Sequence, residues 1–278
     1  MTLIDPFSPI LLSNNGSTAE LLPHGAHVTR FSPLNAEPVL WSSKLATYQD
    51  GKAIRGGIPI IWPWFGAHPT DPEKGSHGVA RKMAWQRVVA SDSAARFRLL
   101  PVGTLTHPQV DGEFEATVDV KLDEGLTVSL ITRNAGESPF QMTAALHTYF
   151  TVGDVTQIKL TGLEGRTYVD QLDGNQRKLQ TGAIKIDKEV DRIYLNSDDV
   201  VEIHDPLMGR IISVAKEGSM STVVWNPWID KSKRMADFGD DEYLEMVCVE
   251  TCNAADDART LQPGESHTLT TKIAVKPL

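Results

Sequence analysis

Glu113–Asn134 reads EFEATVDVKLDEGLTVSLITRN, and its alternation decides the fold class. Phe114, Ala116, Val118, Val120 and Leu122 occupy every second position, and Leu126, Val128 and Leu130 do so again after Asp123, Glu124 and Gly125. Successive side chains of a strand point to opposite faces, so each run presents one apolar face. Two such runs joined by a short Gly-containing turn predict a β-hairpin. Working outward, strand character recurs at 97–103, 142–152, 158–163, 191–195, 199–205, 209–217, 221–227, 243–251 and 267–275, punctuated by Gly, Pro, Asn and Asp. No segment has the period of a long amphipathic helix; short helices are expected around Ser43–Gln49 and Asp256–Arg259. Many strands with no linker and no repeat predict an all-β fold, a large antiparallel β-sandwich forming a single domain over residues 1–278.

Composition narrows the function. The chain has 278 residues, 41% of them apolar, enough for a sizeable core. A net charge of −9 argues against nucleic acid and against an anionic membrane surface, yet leaves room for a small anion held by local cations. Cys248 and Cys252 lie four residues apart in CVETC. On an extended strand that separation is roughly 13 Å, beyond disulfide reach. Unpaired thiols, a start (MTLIDPFSPI) without signal-peptide character and the lack of an apolar run of membrane length predict a cytoplasmic protein. No interface segment stands out, so a monomer is expected.

IRGGIPIIWPWFGAHP (54–69) sets two tryptophans, a phenylalanine and four isoleucines among three prolines and three glycines. Proline lacks the N–H that a helix interior or a central strand requires, so this stretch predicts an irregular crossing with its apolar side chains anchored in the core. Arg55 leads into it, and SHGVARKMAW (76–85) supplies His77 and Arg81. Two arginines in such loops could clamp a phosphate or carboxylate, or could be unrelated surface cations.

In YLEMVCVETCN both faces are apolar and Glu250 closes one of them, where partial desolvation would raise its pKa and suit a general base. A strand-end Glu turned to water fits the pattern as well. His147 falls mid-strand among small and hydroxyl neighbours, either as a proton carrier near neutrality or as a satisfied core histidine. Asp191 opens the apolar run DRIYL and could accept from a sugar hydroxyl or simply end a turn. Trp225 and Trp228 read as packing residues. The eight histidines show no metal-ligand spacing; His24 and His27 in PHGAH stand three apart without a third ligand. No GxSxG or Walker pattern occurs, so neither a metal nor another cofactor is expected.

GKAIRGGIPIIWPWFG, HGVAR with AW, LHTYF, DRIY, VVWNPW and MVCVE, in this order across nearly the whole chain, resemble the aldose 1-epimerase (galactose mutarotase-like) superfamily, and within it the hexose-6-phosphate mutarotases. The resemblance implies one sandwich of large sheets and cofactor-free interconversion of the anomers of a hexose 6-phosphate, glucose 6-phosphate foremost. It implies that His147 protonates the ring oxygen and that Glu250 takes the anomeric hydroxyl proton. It further implies that Asp191 binds a sugar hydroxyl, that Arg55 and Arg81 clamp the phosphate, and that Ser76 and His77 contact the substrate. A mutarotase of free aldoses and a non-catalytic carbohydrate-binding protein are the alternatives; a glycoside hydrolase would need a second placed carboxylate.

Overall fold

The computed structural model describes residues 5–101 and 103–278. The first four residues of the N-terminal reading, and Val102 of the 97–103 stretch, lie outside them. The hairpin forms as its alternation requires. Phe114–Leu122 pairs with Leu126–Asn134 around the three-residue turn, and every second side chain of both strands is buried. The hairpin belongs to an eight-stranded sheet ordered Lys159–Thr161, Val201–Asp205, Arg210–Glu217, Ser266–Pro277, Leu126–Asn134, Phe114–Leu122, Ala94–Arg98 and Gln86–Ala90.

A second eight-stranded sheet runs Gln176–Leu179, Thr167–Asp170, Val190–Leu195, Ser221–Asn226, Met246–Asn253, Ala144–Leu146 and Ile60–Ile61, with Tyr149–Thr151 also paired to Met246–Asn253. The strand pairs within both sheets are antiparallel. One apolar cluster joins them, with Val118, Leu130, Ile212 and Leu269 from the first sheet meeting Tyr194, Val224, Val247 and Val249 from the second. The other face of the second sheet carries its own cluster, including Tyr149, Ile193, Val223, Trp225 and Cys248. Met246–Asn253 is therefore covered on both faces, which is why all eight of its residues are buried and why its sequence is apolar on both sides.

Four local expectations are corrected. The 243–251 run becomes a strand only at Met246, because Glu242–Glu245 closes a 3-10 turn first. The 142–152 run is three pieces, Phe140–Met142, Ala144–Leu146 and Tyr149–Thr151. Ser43–Gln49 is irregular, whereas the α-helix among the described residues is Trp228–Ser232, which follows Pro227 and begins with Trp228 at φ +54. Asp256–Arg259 contributes only to the 3-10 turn Ala255–Asp257. The 54–69 crossing follows its prolines. Ile60–Ile61 forms a two-residue strand at the sheet edge, Gly56, Ile58, Trp62 and Ala67 make isolated bridges, and Ile54, Ile58, Trp62 and Trp64 are all buried.

Candidate active site

The site is a product of strand register. Leu146 pairs with Thr251 and Tyr149 with Cys248, an unchanged register on either side of a two-residue gap, so His147 stands opposite Glu250. On the far side Glu250 pairs with Val223, and Val223 with Ile193. His147 is thus not mid-strand as the periodicity predicts. It sits in a break where the backbone turns to the 54–69 crossing: its N–H donates to Pro59 O at 3.1 Å, and the Tyr149 N–H donates to Gly57 O at 2.9 Å. Glu250 lies well inside its strand and not at its end, with 2% of its surface exposed.

His147 Nε2 lies 3.4 Å from Glu250 Oε1. Burial pushes the Glu250 carboxyl well above the usual carboxylate range, and Asp191 adds to the push. Burial also holds the His147 imidazole well below its usual value, aided by the neighbouring His77 and by the positive charges of Arg81 and Arg55. Each group is thereby driven toward its uncharged form. The contact is that of an acid and a base sharing one proton, not a fixed ion pair. Below His147 the Tyr149 ring stacks at 4.7 Å between centroids and 7° between planes, and the Trp225 ring meets the imidazole edge-on at 6.1 Å. His147 Nδ1 and Glu250 Oε2 have no protein partner among the described residues.

A cavity of about 320 Å³ opens above the pair, and all seven residues singled out from the sequence line it. Arg55 and Arg81 differ there. The Arg55 fork donates to both Asp237 oxygens, at 3.3 and 3.2 Å, and to Tyr149 Oη at 2.9 Å. Burial opposes its charge, but Tyr149 and Asp237 outweigh that and hold its pKa raised. Arg81 makes only a long contact to Ser76 O at 3.4 Å, and no carboxylate lies within ion-pair distance among the described residues. Burial lowers its pKa to about 10, so it remains a cation at neutral pH. Of two expected free arginines, one is already neutralised.

His77 has φ +64 and accepts the Gly66 N–H at Nδ1, which leaves Nε2 as its donor. Burial, then Arg81 and Arg55, lower its pKa to about 3, so it is neutral. At the opposite wall Asp191 accepts from Gln171 and lies 3.5 Å from Lys231, whose ammonium also pairs with Glu189 at 3.1 Å. Burial raises the Asp191 pKa against the pull of Lys231. Gln171, Lys231 and Asp237 were not legible in the sequence, since no spacing ties them to the pair. Trp225, read as packing, both packs and lines the cavity. His147, Cys248 and Glu250 offer ligand atoms within 4.8 Å of one another, but the arginines around them and the buried, protonated Cys248 thiol oppose a cation there.

Residues 9–274 match the aldose 1-epimerase family. The chain belongs to that family. It is 36% identical to a protein of Cenchrus ciliaris that carries the provisional name glucose-6-phosphate 1-epimerase, over 92% of this chain and 80% of that one. A relative of the same provisional name from Escherichia coli is 32% identical over 95% and 89%. The crystal structure of a provisionally named mutarotase of Salmonella typhimurium superposes with a TM-score of 0.88 at 30% identity, covering 99% of this chain and 92% of that one. The sandwich read from the hairpin outward is thus the fold of an aldose 1-epimerase relative. Among the described residues no helix is long and apolar enough to cross a membrane.

Proposed function

We propose that the chain interconverts the α and β anomers of a hexose 6-phosphate, glucose 6-phosphate foremost, by acid–base opening and closing of the ring. The reading is carried by one observation: His147 and Glu250 touch at 3.4 Å in a pocket where Arg81 has no carboxylate within ion-pair distance among the described residues. Once their shared proton has passed from Glu250 to His147, the Glu250 carboxylate takes the proton of the anomeric hydroxyl while the His147 imidazolium gives one to the ring oxygen. The C1–O5 bond breaks, C1 becomes a planar aldehyde, rotation about C1–C2 exposes its other face, and the two groups reverse roles on closure. The shared proton suits this exchange, because opening and closing use the same pair in opposite senses.

Arg81 and the His77 Nε2–H receive the phosphate, with Arg55 setting the field behind them and Ser76 at the rim. Asp191, held by Gln171 and Lys231, takes sugar hydroxyls at the other wall. The apolar cluster joining both sheets supports a single functional unit, and the buried free thiols of Cys248 and Cys252 fit a reducing, cytoplasmic setting. NMR exchange spectroscopy on glucose 6-phosphate beside glucose and galactose tests the reading. Exchange should accelerate most for the phosphate and be lost in His147→Asn and Glu250→Gln. Equal acceleration for the free sugars would assign a free-aldose mutarotase instead, and binding without acceleration a carbohydrate-binding protein.

A further inference from the structure

The PHGAH turn, Pro23–His27, holds two fully buried histidines that the proposed chemistry does not use. It lies between the two arginine-bearing loops and bonds to both. Toward Arg81, the Gly25 N–H donates to Met83 O at 2.7 Å, the Trp85 N–H donates to Pro23 O at 2.8 Å, and a Cβ on Gly25 would stand 3.2 Å from Arg81 O. Toward Arg55, His27 Nε2 bonds Gly56 O at 2.8 Å and His24 Nε2 bonds Lys52 O at 2.6 Å. A carbonyl can only accept, so both imidazoles donate through Nε2, and both Nδ1 atoms are left without a partner among the described residues. His27 is the member adjoining the residue after Arg55, and its ring packs against Gly57, whose carbonyl holds the Tyr149 backbone beneath His147.

We infer that this turn is a strut fixing the separation of the Arg55 and Arg81 loops, with His27 a positioning residue for phosphate recognition. The inference rests on the sugar-phosphate reading above. Its signature is a loss of phosphate affinity without a loss of chemistry. A displaced guanidinium weakens a charge-assisted contact, whereas His147 and Glu250 remain joined by strand register.

The discriminating pair is His27→Asn and His27→Gln, because only the longer amide reaches Gly56 O. Calorimetric binding of glucose 6-phosphate and of glucose needs no turnover, so it reports on the strut separately from the anomerase reading. His27→Asn should weaken glucose 6-phosphate binding about tenfold, leave glucose binding unchanged and keep kcat within about twofold, and His27→Gln should restore the affinity. Equal affinity in the two variants, or a fall in kcat without a change in affinity, would overturn the inference. Unfolding of both variants would overturn it too, by making His27 a general core residue. Arg81→Ala is the control: if it leaves glucose 6-phosphate binding unchanged, the phosphate reading has failed and the strut with it.

Discussion

Glu250 places a carboxyl where water cannot solvate its charge, and this has opposite consequences for chemistry and for stability. Removing the acceptor in Glu250→Gln should lower the anomerisation rate by about 10²–10⁴-fold, read by anomer-resolved NMR. The same change should stabilise the fold. With its folded pKa above the ordinary 4.5, Glu250 keeps its proton in the native state after the unfolded chain has released it. Native stability due to this group is therefore complete below about pH 4.5 and declines as pH rises toward the folded value. Glu250→Gln should gain stability over the parent progressively above pH 4.5 in denaturant titrations; a constant difference from pH 4 to 8 would contradict that ionisation. Arg81 supplies a second prediction. Arg81→Ala should weaken glucose 6-phosphate by about ten- to a hundredfold, the worth of a charged hydrogen bond, and glucose hardly at all. Equal losses in calorimetry would remove Arg81 from the phosphate.

Among the elements, the 54–69 crossing does the most with the least regularity. Its prolines and glycines were legible as a rigid irregular path, and its isoleucines as anchors. What could not be read was that Gly57 and Pro59 offer carbonyls to the backbone around His147. Gly57 has φ +61, and a Cβ there would stand 2.3 Å from Val28 O and 2.5 Å from His27 Nε2. Gly57→Ala should destabilise by about 1–3 kcal/mol through overpacking and should depress turnover by shifting His147; an unchanged melting temperature would show that the crossing yields. The hairpin at 113–134 was legible because its two runs alternate without interruption. The 142–152 piece was not, since the same alternation continues through Leu146-His147-Thr148 although the chain leaves the ladder there. The edge strand Gln86–Ala90 leaves no trace in the sequence because all five of its residues are exposed, and alternation carries information only where one face is buried.

Across the whole molecule, contacts between residues far apart in the chain decide the site. His147 and Glu250 could each be singled out in the sequence, but only the paired register brings them together. The Arg55–Asp237 pairing, 182 positions apart, left no local trace at all. It is also what makes the charge of the site differ from a simple count of arginines. The molecule carries −9 overall, while in the pocket Arg55 is paired with Asp237, Lys231 with Asp191 and Glu189, and Arg81 has no carboxylate within ion-pair distance among the described residues. A small anion can thus be held by a chain that as a whole repels anions, since a local field outweighs a distant one beyond a Debye length of roughly 8–10 Å.

Met246–Asn253, buried on both faces and flanked by Ser221–Asn226 and Ala144–Leu146, is the last strand of its sheet to be synthesised, yet it lies inside it. Until it inserts, a growing polypeptide holds two half-sheets with bare edges facing an empty slot, the arrangement most open to wrong pairing. Closing that slot joins segments separated by about a hundred residues, a slow step for sheets built from non-local pairs. Refolding from denaturant should therefore end in a slow phase in which catalytic activity returns together with the final β-sheet signal; activity returning ahead of it would contradict this order. Glu250, the proposed base, arrives on the strand that completes the sheet, so on that reading a chain caught part-way through its synthesis is both inactive and adhesive.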